Sequence, residues 1–574
     1  MSKISSPDKM FLGLDLSTQQ IKIVAVDEQL TPLCCYAVTF DDDLPSYNTT
    51  HGVYKQEAGR IVAPVAMWLD ALDLVMTRMK DDGFDFSKVV GMSGSCQQHG
   101  SVYWANEAVG LLQSLDGDTT SLKNGLFPQA FTHTVAPNWQ DHSTVEECKQ
   151  FTAAVGSGQK LAELTGSKAY HRFTGPQITK FIKDHPEAYE NTHRITLISN
   201  FLSTVLLGKF SKIDQADGCG MNLYDIQGKC WNPDLLEATV LGKKESITKL
   251  IAKLGGDVEP SGFNSIGLIS SYFVNKFGFS PNCGIYPFTG DNLATILSLP
   301  LLKNDLLVSL GTSTTLLLIT DVYRANENYH IMIHPTNPNL YMYMICYSNG
   351  ALVRNDVRNK VNKKYCIAED SWDKFSEILD GEKFEASKDG NIGIYFPQGE
   401  IIPNVDKPVI LKYKFDTTTG ELIENLGPDY KNVETDVKGI VESQALSGRI
   451  RVHELLKKDC NDNNGDLKPH KLFFVGGSSR NQSIITKFSE ILGNEFQGDG
   501  GKGNYKSLEP NSCALGGAYK ACWSYYREHG GNGCFEDYLE NKFDWSNLKE
   551  FTVEYKWNTF KIAEAALRNL ERLL

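Results

Sequence analysis

FLGLDLSTQQIKIVAVD, residues 11–27, reads as two apolar strands joined by a polar turn. The first run closes on Asp15 and Leu16. The second, Ile21 to Val26, alternates large aliphatic side chains with smaller or polar ones over the length of a strand. Ser17, Thr18, Gln19 and Gln20 lie between the runs and can aim hydroxyls, amides and backbone N–H groups at an anion. An acid just ahead of a hydroxyl-rich turn suits a metal–phosphate group, with oxygen for the cation and donors for the phosphate. A core hairpin with a capped turn would have the same pattern, and both readings stay open on these residues alone.

The pattern returns at 306–322, LLVSLGTSTTLLLITDV, where Gly311, Thr312 and Ser313 take the place of Leu16, Ser17 and Thr18. This implies an internal duplication of architecture, and two lobes that each open on such a hairpin would put a nucleotide between them. A third small-residue turn follows a strand in KLFFVGGSSRNQSIITKFSEILG. There Gly476 and Gly477 precede a helix over roughly Gln482 to Leu492, either a nucleotide loop or an ordinary strand-to-helix turn. In GIYPFTGDNLATILSLP, Asp291 and Asn292 stand at the mouth of another helix, where an Asp serves as a cap or as a base for an attacking hydroxyl.

Between these hairpins, the apolar positions Val65, Trp68, Leu69, Leu72, Val75, Met76 and Met79 predict a helix within 58–80 that covers a sheet face. VVGMSGSCQQHGSVYWAN predicts strand, turn and strand, with Gln97, Gln98 and His99 at the strand end, where side chains commonly face a cleft. Arg172 falls in a Gly- and Thr-flanked turn before a helix, as a surface charge or as a guanidinium for hydroxyls or phosphate oxygens. ITLISNFLSTVLLG reads as an apolar helix with a glycine stop.

A chain of 574 residues can be divided into about three to four domains or into two large α/β lobes. The net charge of −13 argues against a nucleic-acid partner held by phosphate contacts. The thirteen cysteines include no CxxC pair, which points to reduced thiols rather than a zinc ribbon or a disulfide framework. The polar start, MSKISSPDKM, lacks an apolar signal core, and no segment has the uninterrupted apolar run of a membrane span.

Six motifs in order, GLDLSTQQIK, SGSCQQHGSVYW, HRFTGPQITK, FTGDN, SLGTSTT and FFVGGSSRNQSI, resemble the FGGY carbohydrate kinases, most closely the eukaryotic branch that acts on xylulose; the match runs from about residue 10 to about residue 525. The resemblance implies a two-lobed α/β fold of the actin/hexokinase-like (ribonuclease H-like) ATPase type with a central cleft. Its sugar-binding lobe would span 1–298 and its nucleotide-binding lobe 299–574. It implies a cytoplasmic, ATP-dependent kinase with Mg2+ that converts D-xylulose to D-xylulose 5-phosphate, with a ketopentose and Mg-ATP as its partners, no membrane, and a monomer or homodimer. A glycerol or ribulose kinase, or a non-enzymatic actin-like ATPase module, are the alternatives.

Carried onto this sequence, the resemblance implies Asp15 near the metal, and Ser17, Thr18 and Lys22 with Gly311, Thr312 and Ser313 on the ATP phosphates. Gly477, Ser478 and Asn481 would face the adenosine, with Gly516 and Gly517 beside them and Trp372 near the adenine. His99, Arg172, Asp291 and Asn292 would hold the sugar, with Asp291 as catalytic base. Ser478 stands where relatives commonly have Ala. Residues 457–470 are expected to form a solvated loop, 497–505 likewise despite their glycines, and the tail helix bearing Ile562, Ala566, Leu567, Leu570 and Leu574 is expected to dock on its own lobe.

Overall fold

The computed structural model describes residues 7–405, 407–457, 466–498, 500–507 and 509–574. Residues 458–465, the heart of the polar insertion, and 1–6 at the polar start lie outside the described residues.

Met10–Leu16 and Gln20–Asp27 form the opening hairpin, in antiparallel register from Met10 opposite Asp27 to Leu16 opposite Ile21. The side chains divide between two cores because successive residues of a strand face opposite sides of its sheet. Leu12, Leu14, Leu16, Ile21 and Ile23 enter an outer core with Trp68, Leu72 and Val75 of the Val65–Asp81 helix. Phe11, Val24 and Val26 enter an inner core. The expected helix starts at Val65 because residues 61–64 pair as a strand before it, between Tyr54–Lys55 and Val135–Pro137.

Pro32–Thr39 extends the hairpin on one side and Val89–Cys96 lies parallel to Met10–Leu16 on the other, followed by the short strands Gly284–Ile285 and Thr289–Gly290. The second sheet repeats this plan. Leu306–Leu310 and Thr314–Thr320 form its hairpin, Tyr341–Tyr347 continues it, and Leu472–Val475 and Asn504–Ser507 add parallel strands on the far side. Three antiparallel strands followed by parallel crossovers, twice in one chain, are the duplication expected from the two hairpins and make the two-lobed α/β ATPase fold. All strands of the first sheet precede residue 298 and all strands of the second follow it.

One helix does not respect that division. Ser512–Glu528 packs against Met10–Leu16 and Val89–Cys96 of the first sheet and shares a buried core with Leu307 and Phe473 of the second. Glycines bring backbone against backbone there. A Cβ at Gly13 would lie 1.8 Å from the Ala514 carbonyl oxygen, and one at Gly517 would lie 2.6 Å from the Gly94 Cα.

In the stretch expected to be all helix, Thr192–Leu197 is a strand and Ile198–Leu207 is the helix, closed by Gly208 with its positive φ. The short run Ile195, Thr196 and Leu197 fits either period, and pairing with Ser101–Ala105 decides for strand. The tail helix, Trp557–Glu571, docks on Val433–Leu456 and buries Ala566, Leu567 and Leu570, whereas Leu574 lies beyond its last turn and is exposed.

Candidate active site

Parallel strands carry their C-terminal ends to one edge of the first sheet, where ligands of α/β folds bind. Met10–Leu16 delivers the Ser17–Thr18 turn, Val89–Cys96 delivers Gln97, Gln98 and His99, and Thr289–Gly290 delivers Asp291 and Asn292. Asp15 lies level with Lys22 on one neighbouring strand and Ser95 on the other, and Ser95 Oγ donates to its Oδ1 at 2.8 Å. Burial pushes the Asp15 carboxyl up to about 6, opposed by Ser95 and the Lys22 charge. Ser17 closes its own turn by donating to the Gln20 carbonyl at 3.1 Å, and Thr18 Oγ1 accepts from the indole of Trp139 at 2.8 Å.

Asp291 is the first residue of a helix capped by Gly290, so it does not serve as the cap. Its Oδ1 accepts from the backbone N of Asn292 at 2.7 Å and from Asn292 Nδ2 at 3.0 Å. Among the described residues, its Oδ2 accepts no hydrogen bond. Burial and then the nearby Asp15 charge raise its carboxyl to about 6, against the Asn292 donors.

His99 has a left-handed backbone, with φ of 72°, and stacks on Phe173 with ring centroids 4.5 Å apart. Burial and Arg172 lower its pKa to about 3, which keeps the ring neutral. The Nδ1 atom lies 2.9 Å from the Gly220 carbonyl, which can only accept, so Nδ1 carries the hydrogen and Nε2 is left as an acceptor. Arg172 lies over Tyr170 and donates to His330 Nε2 at 3.2 Å. The site therefore presents hydrogen-bond acceptors on His99 and Asp291 and a fixed guanidinium on Arg172, a set suited to a polyol.

The edge of the second sheet carries a groove of about 870 Å³ lined by Gly311, Thr312, Trp372, Gly477, Ser478 and Asn481. Six of the residues expected on ATP thus meet in one place. Asn481 caps the Gln482–Leu492 helix, its Oδ1 accepting from Ile484 N at 3.2 Å, and Ser478 Oγ accepts from Arg354 at 3.2 Å. Trp372 is half-buried, with the Arg358 guanidinium 4.8 Å over its ring. Arg358 and Asn355 line the same groove and were not expected from the sequence, because the charged Ala351–Tyr365 helix reads as an ordinary solvated one. A second cavity of about 420 Å³ shares Gly477 and Arg480 with this groove and reaches Thr295, one turn beyond Asp291 on the same helix face.

Ser313 and Gly516 are not among the residues that line the groove. The Ser313 backbone follows Thr312 and packs against Gly350, where a Cβ would lie 2.5 Å from the Ser313 carbonyl carbon. Gly516 is turned from the groove toward the helix of Asp291, and a Cβ there would lie 1.9 Å from the Ala294 carbonyl oxygen. What the structure gives Gly516 is a close helix crossing. Small residues serve both purposes, and the sequence pattern does not separate them.

The N-terminal domain of the FGGY family of carbohydrate kinases matches residues 134–298. Xylulose kinase of Saccharomyces cerevisiae is 42% identical, covering 100% of this chain and 98% of its own. Xylulose kinase of Schizosaccharomyces pombe is 44% identical over 95% and 94%. Among solved structures, xylulose kinase from Rhodospirillum rubrum superposes with a TM-score of 0.74 at 13% identity, covering 98% of each chain. Plasmodium falciparum glycerol kinase with ADP reaches 0.69 at 16% identity over 99% of each, and at such identities both likenesses concern the fold. Full-length identity above two-fifths to the two yeast kinases settles kinship: the chain belongs to the FGGY family of carbohydrate kinases.

Proposed function

We propose that the chain transfers the γ-phosphoryl group of ATP to the 5-hydroxyl of D-xylulose, giving D-xylulose 5-phosphate and ADP, as the names of its yeast relatives suggest. The observation that carries this reading is the carboxyl of Asp291, raised to about 6 and held by Asn292 with one oxygen free, between a polyol-suited cluster and the nucleotide groove. Sugar binding falls to the half before residue 298 and nucleotide binding to the half after it.

In this mechanism Asp291 Oδ2 accepts the proton of the 5-hydroxyl as its oxygen bonds to the γ-phosphorus and the bond to the β,γ-bridging oxygen breaks. His99, Arg172 and Asn292 orient the sugar, and the Ser17–Thr18 turn and Gly311–Thr312 present donors to the phosphates. Asp15, a carboxyl that burial raises, suits Mg2+, a hard cation that takes one or two carboxylates plus phosphate oxygens. Bound there, the ion would neutralise charge on the phosphoryl oxygens. A cytoplasmic location belongs to the same proposal, ATP being the co-substrate; among the described residues no helix is long and apolar enough to cross a membrane.

A coupled ADP-release assay over a panel of xylulose, ribulose, glycerol and gluconate tests the reading. The highest kcat/KM is expected for xylulose. ADP release unstimulated by any sugar would point to the ATPase module instead, and preference for glycerol or ribulose to the sister kinases.

His99→Ala is expected to raise the KM for the sugar about tenfold or more, the cost of losing a buried acceptor, with little change in the KM for ATP. Equal rises in both constants would remove His99 from the sugar.

A further inference from the structure

Behind Asp291 and Asn292 runs a chain of buried polar groups that ends on Asp217, 119 residues from Gln98 in sequence. Asp217 is 2% exposed and lies in the short Gln215–Gly218 helix. Its Oδ2 accepts from Ser199 Oγ at 2.5 Å and its Oδ1 from Gln98 Nε2 at 3.3 Å. The other end of the Gln98 amide, Oε1, accepts from Asn292 Nδ2 at 3.4 Å, and the same nitrogen donates to Asp291 Oδ1 at 3.0 Å. Gln98 is itself 4% exposed, and it is wedged so tightly that a Cβ at Gly290 would lie 2.4 Å from its Nε2.

An amide has a donor end and an acceptor end, and a carboxylate can only accept, so the order of these contacts has a direction. Asp217 turns the nitrogen of Gln98 toward itself, which turns the Gln98 oxygen toward Asn292. Asn292 then spends both amide hydrogens on Gln98 and Asp291, and among the described residues its Oδ1 accepts no hydrogen bond. That oxygen is an acceptor for a sugar hydroxyl, beside the free Oδ2 of Asp291. Were either amide to turn over, the acceptor would become a donor and Asp291 would lose a hydrogen bond.

We propose that Asp217 is a positioning residue for phosphoryl transfer, which acts through Gln98 to fix which end of the Asn292 amide meets the sugar. The inference rests on the sugar-kinase reading of this site. It also gives Gln98 a task for which the sequence shows only a polar side chain at a strand end. The segment that carries Asp217 holds the neighbouring turn as well, since the Gly220 carbonyl is the partner of His99. Burial raises the Asp217 carboxyl to about 7, helped by Asp214 and Asp291, and a proton on the oxygen facing Ser199 leaves the oxygen facing Gln98 an acceptor.

The test is a double-mutant cycle on the full chain at Asp217 and Gln98, the latter as Gln98→Met, measuring kcat and both KM values with xylulose and its monodeoxy analogues. For this cycle the Asp217 change is Asp217→Leu rather than Asp217→Asn, because an Asn that turns its nitrogen to Ser199 still offers Gln98 an oxygen whereas Leu offers none. Asp217→Leu is expected to raise the sugar KM about tenfold and leave the ATP KM within about twofold, because a misdirected amide costs one polar contact at the sugar alone. The penalty that the wild type imposes on one deoxy analogue should shrink in the variant. In the Gln98→Met background the Asp217→Leu change should have no further effect. Unchanged sugar kinetics in Asp217→Leu, or effects that simply add, would overturn the proposal. If Asp217→Leu does not fold, Gln98→Met alone must show the same split between the two KM values, and wild-type kinetics there would overturn it equally. A wild-type chain inactive on every sugar would instead refute the kinase reading itself.

Discussion

Replacing Asp291 with Asn is expected to lower kcat at least ~100-fold, about 2.7 kcal/mol of transition-state stabilisation, while xylulose still binds. An amide has the shape of the carboxyl and can keep the contact with Asn292, but it cannot take the hydroxyl proton. The wild type should show the same dependence as a function of pH. Its Asp291 carboxyl is raised to about 6 by burial and by Asp15, and the base works only when ionised, so kcat/KM for the sugar should fall as the pH drops through about 6. The loss should be reversible and free of unfolding. A carboxyl raised in the folded state binds its proton more tightly there than in the unfolded chain, so these groups make the fold more stable, not less, as the pH falls from above 6 toward 4. Rapid return to pH 8 should restore full rate. An Asp291→Asn variant with kcat near wild type, or acid inactivation that tracks loss of circular dichroism, would take Asp291 out of the role of base.

Gly516→Ala, a change of one methyl group, is expected to cost about 1–3 kcal/mol of stability and to reduce kcat about 100-fold, the effect of a reacting group misplaced by roughly an ångström. The new Cβ would sit 1.9 Å from the Ala294 carbonyl oxygen and 2.9 Å from its carbon, backbone atoms that no rotamer change can move aside. The two helices must part, and the one that yields carries Asp291 at its first position. Binding of ATP in the groove of the second sheet should change little, since neither helix lines it. Thermal denaturation alongside steady-state kinetics checks this, and a variant with native Tm and native kcat would show that the crossing tolerates a side chain.

Much of this architecture is legible in residues close together in the chain. Each hairpin announces itself by alternation, because the period of two assigns Leu12, Leu14 and Leu16 to one core and Phe11 to the other. The small-residue turns after three strands mark the edges where ligands gather, and Asp291 stands out as an acid at a helix start. Asp217 does not, since what makes it notable is contact with Gln98 across 119 residues and nothing in QADG foretells it. Gly516 was legible as a position that needs a small residue, yet the sequence could not say whether a phosphate or another helix lay above it. Arg358 was hidden in a helix whose charge reads as solvent-facing, because burial beside a groove comes from Trp372, placed there by a separate helix.

The helix Ser512–Glu528 is threaded between sheets whose strands were almost all laid down before it. During synthesis, then, the inner face of the first sheet waits uncovered until nearly the whole polypeptide has left the ribosome. Folding of such a chain cannot proceed simply half by half as it emerges. Its earliest-made hairpin is sealed by one of its last-made segments, so a nascent chain stalled short of that point exposes Phe11, Val24 and Val26 to whatever chaperone meets it.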